Sequence, residues 1–362
     1  MVKHYLKMAI RQILKNKVQY LLSIVGIAIG LLCFSMTSYY IRRFNSQFTA
    51  WSNNDRMANL YVKSEKNKYN EPYIPGKELQ ALMSNPVAGI EKIAYSYSYG
   101  KANITISNAG QEEIPFQCSF QNITEDFPVI FGMQTLEGKM PVWTPGEVWI
   151  SESSARRIFG EDNPIGKTLY FSQADTDTSA VQYSTISAVV RDLPDGSREK
   201  NDFYFPEISV INPDRKYSNV VVLLEKGVSS TEINQRLRKQ LPVFGKNNDN
   251  YLAVMTFKEE MYKPDNLGAT LFIPLIGALI LIAAMINFLK FCIQSFYNRT
   301  KELSLRKNLG SGSVGLFCLL FSEIAILFLL SALVSFVMIE WFIPVFYQYL
   351  ASKEVINENK RQ

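Results

Sequence analysis

Three long apolar runs decide what this chain can fold into: residues 18–41, 267–291 and 314–339. The first contains LLSIVGIAIGLLCF and has more than twenty residues without a charge. At a rise of about 1.5 Å per residue, a helix of that length crosses a hydrocarbon core of about 30 Å. A cleaved signal peptide would also begin with a basic stretch, but its apolar region is shorter and a small-residue cleavage site follows it, which is not the case here. The expected fold class is an α-helical membrane protein of three transmembrane helices, with a large mixed α+β domain inserted between helices 1 and 2.

Composition supports this only once it is read along the chain. Hydrophobic residues make up 47% and charged residues 20%, and the two are segregated. The net charge of +5 does not point to nucleic acid, because Lys and Arg gather beside the apolar runs and mark the cytoplasmic side of a membrane. In residues 1–17, Lys3, Lys7, Arg11 and Lys15 are four apart and share one face, with Val2, Leu6, Ala9, Ile10 and Ile13 on the other. That pattern suits an amphipathic helix lying in the bilayer interface. The segment 292–313 carries Arg299, Lys301, Arg306 and Lys307. With the N-terminus it is expected in the cytoplasm, against the weaker opposing signal of Arg42 and Arg43. Residues 42–266 and the tail 340–362 then lie outside, in the periplasm of an inner-membrane protein if the cell is Gram-negative.

The outer segment alternates strand-like stretches such as ANITIS (102–107) with Gly and Pro punctuation, and VVVLL (220–224) reads as a buried strand. Two helices are expected, Ser151–Phe159 with Ser151 or Ser154 as cap, and Ser230–Leu241 with Thr231 or Ser230 as cap. At roughly 220 residues the segment forms one large domain or two lobes. Of the four cysteines, Cys33, Cys292 and Cys318 fall in or beside the apolar runs and only Cys118 in the outer segment, so no disulfide framework is expected. His4 is the single histidine, which removes the usual zinc sites and histidine-dependent nucleophiles. No catalytic and no metal site is expected. An enzyme would have to rest on carboxylates such as Asp192 and Asp195.

GEDNPIGKT (160–168) looks like a phosphate-binding loop, but that motif has four residues between its glycines and this one has five, and Pro164 removes a backbone donor. Gly26 and Gly30 form a G-x-x-x-G in the first run, which lets another helix approach closely and would serve assembly. Asn287 and Glu323 lie inside apolar runs, where polar groups face protein rather than lipid; interhelical contact is the expected role. In RTKELSLRKNLG (299–310), Glu302 and Arg306 are four apart with the acid first, a favourable helical pair, and Leu305 and Leu309 supply an apolar edge. Solvated loop and docking helix both fit this segment.

Several stretches in order resemble the FtsX-like permeases of ABC transporters with a MacB-type periplasmic core domain. AIRQILKNKVQYLLSIVGIAIG resembles the family's amphipathic first helix and first span, and NNDRMANLYVK its first periplasmic strand. ISESSARRIFGEDNPIGKTLYF resembles its small helix followed by N/D-P-[IV]-G-K, and AVVRDLPDGS the strand and turn after it. INFLKF followed by RTKELSLRKNLGS resembles the end of the second span and the coupling segment, R-x-[KR]-E-[IL]-x-[IL]-R-[KR]-x-[LF]-G.

The resemblance implies a permease that hydrolyses nothing and relays the movement of a cytoplasmic ABC ATPase to its periplasmic domain, a mechanotransmission of export or efflux type. It implies ATP bound by that partner and no cofactor in this chain, a second permease chain as homo- or heterodimer mate, and a periplasmic or outer-membrane component. Arg299, Lys301, Glu302, Arg306, Lys307 and Gly310 would form the ATPase-coupling segment. Asn308 stands where the family has a small apolar residue. The family also has a fourth span and no apolar run follows residue 339, which implies that another chain supplies it or that this is a truncated paralogue. The rival reading is an uncoupled membrane sensor or scaffold with the same topology.

Overall fold

The structure, a computed structural model, describes residues 11, 17–64, 70–106, 115–138, 144–172, 182–194, 197, 199–241, 243–244, 249–309 and 312–359. Apart from Arg11 and Lys17, the expected interfacial helix falls outside the described residues, as do Asp195 and Gly310. From the N-terminus run α1 (Lys17–Thr49), β1 (Met57–Ser64), β2 (Ile74–Pro75), α2 (Gly76–Ser84), β3 (Ile90–Ile106), β4 (Pro115–Ile123) and α3 (Phe127–Phe131). Next come β5 (Thr135–Gly138), β6 (Glu147–Ser151), α4 (Glu152–Phe159), β7 (Thr168–Ser172), β8 (Gln182–Val190) and β9 (Phe203–Pro206). They are followed by β10 (Lys216–Tyr217), β11 (Val220–Leu224), α5 (Ser230–Gln240), β12 (Asn250–Thr256) and α6 (Phe257–Met261). The last three are α7 (Pro264–Asn298), α8 (Thr300–Asn308) and α9 (Ser313–Asn359). The chain divides into two compact units, Met1–Arg42 with Leu267–Gln362, and Arg43–Asn266.

The unit Arg43–Asn266 is organised by a sheet in the order β12-β1-β11-β3-β4-β9-β6-β8-β5, with β7 pairing β3 and β8. All five residues of β11 are buried, as an unbroken apolar run requires when both faces of a strand are covered. Its period of two sorts the side chains: Val220, Val222 and Leu224 join a cluster with Leu79, Leu82, Ile233 and Leu237 of α2 and α5. Val221 and Leu223 join the opposite cluster with Trp51, Phe127, Phe131 and Trp149. The same alternation sends Trp149 and Tyr204 to that cluster and their neighbours Ile150 and Phe203 to a third one beneath α4.

Strand β3 connects these cores. Ile90–Tyr95 pairs with β11, and from Ser96 onward the strand pairs with β4 across an irregularity between Ser98 and Lys101. A bulge of this kind re-aims a strand without ending it. Helix α4 is capped as its sequence suggests, with Ser151 Oγ accepting the Ser154 N–H at 3.4 Å, and it stops at Gly160, whose φ is 62°. In α5 the cap is Ser229, which accepts the Glu232 N–H, rather than Ser230 or Thr231. A cap must sit outside the helix with extended backbone, and Ser230 is already helical.

In the other unit three helices are long and apolar enough to cross a membrane, over Lys17–Thr49, Asn266–Asn298 and Ser313–Phe342. Each helix outlasts its apolar run. Helix α1 continues through Arg42 and Arg43, because arginine ends a hydrophobic span but is itself a good helix former. Gly30 lies so near α7 that an added Cβ would stand 2.6 Å from Ala284 Cβ, and a Cβ on Gly26 would meet Asn287 Nδ2 at 3.5 Å. Tyr20 and Phe291 pack edge to face with centroids 5.0 Å apart, and Leu327 of α9 completes that cluster.

Candidate coupling site

The segment between the second and third apolar runs is two helices with one residue between them. Helix α7 ends at Asn298 and α8 begins at Thr300, and Arg299 at the joint has φ −110° and ψ 3°. The Arg299 N–H donates to the Phe296 carbonyl at 3.0 Å, and the Arg299 carbonyl accepts the Leu303 N–H at 2.9 Å. Both helices are thus hydrogen-bonded through the joint while its dihedrals depart from the helix. Along α8, Leu303 is buried and Leu305 is 63% exposed between exposed Lys301 and Lys307, and Leu309, at the C-cap, is 86% exposed. Glu302 and Arg306 belong to the backbone of α8, and their side chains lie outside the description.

The Arg299 side chain does not join that exposed surface. Its Nη1 donates to Glu323 Oε1 at 2.7 Å and to Oε2 at 2.8 Å, with both side chains 7% exposed. An arginine and a carboxylate taken out of water together hold one another, since each would be costly alone. Sequence reasoning had put these residues in different roles, Arg299 against an ATPase and Glu323 in helix packing, and the structure brings them together. They lie twenty-four positions apart, outside any helical periodicity. The sequence signal is one-sided: Glu323 is an isolated charge inside an apolar run, whereas Arg299 stands among the charges of the segment 292–313. Beside Glu323 a cavity of about 30 Å³ is lined by Tyr20, Ser295, Phe296 and Leu327 among others, about the space one water occupies.

In the unit Arg43–Asn266, buried polar groups form closed networks that the sequence did not reveal. Asp202 accepts from Ser154 Oγ at 2.5 Å, Arg157 Nη2 at 2.9 Å and Ser119 N at 2.7 Å, fastening α4 to β4. Burial pushes the neighbouring Cys118 thiol up to about 11, which keeps it protonated and unreactive at neutral pH. Glu207 accepts from Tyr97, Ser209 and Asn122; burial alone would raise its pKa, but these bonds outweigh it and hold it below the ordinary value. A cavity of about 140 Å³ is walled by Trp51, Phe257, Asn59, Asn219, Glu199 and Glu260.

Asp192, a candidate in the enzyme reading, accepts the N–H and hydroxyl of Ser153 at 3.1 and 3.0 Å, a bond made at the first turn of α4. In the loop that looks like a phosphate cradle, Asn163 Oδ1 accepts the Ile165 N–H at 2.8 Å, and the Lys167 N–H donates to the Pro164 carbonyl at 3.2 Å. Lys167 Nζ is 3.6 Å from Asp162 and over the Phe159 ring. The Gly166 N–H donates to the Ile186 carbonyl of β8 at 2.8 Å, so these donors and the cation are taken up within the domain.

Two protein-family models match the chain. One, the MacB-like periplasmic core domain, covers residues 20–240, well over half the sequence, and the other, the FtsX-like permease C-terminal, covers residues 274–359. The chain belongs to the MacB- and FtsX-type ABC transporter permeases. These families are transporter components rather than typical enzymes, and the permease has three helices long and apolar enough to cross a membrane together with a domain of the periplasmic core type. No curated protein matches the permease in sequence. Among solved structures it is similar to a domain of a proposed permease protein from Porphyromonas gingivalis, at 18% identity and TM-score 0.45, covering 61% of this chain and 99% of that one. The periplasmic region of MacB from Actinobacillus actinomycetemcomitans aligns at 15% identity and TM-score 0.41, covering 59% and 94%. The extracellular domain of the noncanonic ABC-type transporter YknZ from Gram-positive bacteria aligns at 15% and TM-score 0.36, covering 55% and 99%.

Proposed function

We propose that this permease converts movement of a cytoplasmic ABC ATPase into movement of its outer domain, with α8 as the element that docks on the ATPase. The observation that carries the reading is the exposure of Leu305 on a short basic helix and of Leu309 at its C-cap, between two apolar helices. Two leucines four apart make a continuous apolar edge, and an edge of that kind outside the apolar spans suits a partner's groove. Lys301, Glu302, Arg306, Lys307 and Gly310 would set its orientation, Arg299 acting from within the fold. Positive charge beside α7 and α8 supports a cytoplasmic position for this loop, and hence an outer domain in the periplasm of a multi-pass inner-membrane protein. ATP belongs to the partner ATPase. A second permease chain and a periplasmic or outer-membrane component complete the assembly.

The test is recovery of ATPase and ATP turnover with the full chain purified from membranes of the native cell. Burying a leucine contributes about 1.5–3 kcal/mol, so Leu305→Asp with Leu309→Asp should reduce bound ATPase by about a hundredfold or more. Reversal by Glu302→Arg with Arg306→Glu should also remove most of it, because like charges juxtaposed in a contact are strongly unfavourable. Undiminished binding and turnover in both variants would contradict docking through α8 and favour an uncoupled sensor or scaffold.

A further inference from the structure

The joint between α7 and α8 is held from a third helix. Arg299 is the one residue separating the two, its backbone has left helical geometry, and its guanidinium is gripped by both carboxylate oxygens of Glu323 on α9. Both bonds leave the single Nη1, so one end of the guanidinium is tied to both carboxylate oxygens, and as a charge-assisted contact it is stronger than a neutral hydrogen bond. Burial at 7% for each side chain leaves little water to compete for the contact, so breaking it is costly.

We propose that the Arg299–Glu323 pair is the clamp through which displacement of α8 reaches α9. The inference rests on α8 being the helix that an ATPase moves. Without the pair, α8 would be held only by backbone, through the non-helical joint at Arg299 on one side and the short connection to α9 on the other, and rotation at the joint would absorb part of a push before it travelled further. With it, α8 and α9 share a rigid contact at the joint, and a push on α8 is delivered to Glu323. Leu327, one turn beyond Glu323, packs with Tyr20 and Phe291, and Ser331 and Ser335 continue the same buried face of α9. The stripe Glu323, Leu327, Ser331, Ser335 is the edge along which α9 is held inside its unit. Both residues are positioning residues: their role lies in where they hold the two helices.

Two measurements on the full chain test this, one without any ATPase. In a chain with Cys33, Cys118 and Cys292 replaced by alanine, spin labels on native Cys318 and on Ser304→Cys report the distance between α9 and α8. The expected result is a narrow distribution with the native pair, a broad one for Glu323→Gln or Arg299→Gln, and narrowing again in the double change Arg299→Glu with Glu323→Arg. An equally narrow distribution in both single variants would overturn the clamp. Next, the ATPase recovered with each variant from native membranes is assayed. Both single variants should bind it as wild type does, since neither alters the exposed edge of α8, while ATP turnover by the recovered complex changes by about two- to thirtyfold, the range found for residues along a coupling path. Turnover unchanged at equal binding would overturn the relay through this pair. A wild-type chain that brings down no ATPase would defeat the docking role of α8, and with it the relay, while the label distances would still decide whether the pair holds the joint.

Discussion

At the scale of single residues, buried carboxylates show how much is settled by partners that adjacent sequence does not name. Glu207 accepts hydrogen bonds from Tyr97, 110 positions earlier, and from Asn122, as well as from nearby Ser209. These bonds overcome the upward push of burial and hold its pKa below the ordinary value of 4.5. A carboxyl lowered in the folded state contributes stability that is fully present above its unfolded pKa and is lost as pH falls through the folded one. Glu207→Leu should therefore destabilise the full chain at pH 7 by about 1–3 kcal/mol, the cost of leaving buried donors without an acceptor. The gap between variant and wild type should narrow as the pH is lowered below 4.5, by the part that the lowered pKa contributes. Thermal unfolding in detergent across that range measures it, and a gap that stays constant with pH would contradict the assignment.

At the scale of elements, close approach of helices makes the sharpest claim. Gly26 and Gly30 were legible as small residues one turn apart, but the sequence could not say which helix would use them. The neighbour in the structure is α7 of the same chain, through Asn287 and Ala284. Gly30→Leu should force α1 and α7 apart and cost about 1–3 kcal/mol by overpacking. A lower melting temperature of the purified chain, with its oligomeric state unchanged, is the expected result; an unchanged melting temperature with loss of the oligomer would show the glycines facing another chain.

The three apolar helices, the mixed domain and the Ser151 cap could be read directly, because hydropathy, alternation and capping are local properties. Helix ends beyond Ile41 and Phe291 could not, since hydropathy reports burial in lipid and not where backbone hydrogen bonding stops. The pairing of Arg299 with Glu323 was hidden for a related reason. Glu323, alone in an apolar run, announces that a partner must exist, but tertiary packing chooses it.

At the scale of the whole molecule, the relay requires α8 and the outer domain to lie on opposite sides of a membrane. The basic residues around 292–313 and the match to a MacB-like periplasmic core domain both favour that arrangement. The direct measurement uses single cysteines at Ser64 in β1 and Ser304 in α8, in a chain whose native cysteines are replaced, and a membrane-impermeant maleimide. The expected result is labelling of position 64 from outside intact cells stripped of their outer membrane, and of position 304 only after the inner membrane is opened or inverted. Labelling of both positions from the same side would contradict the relay.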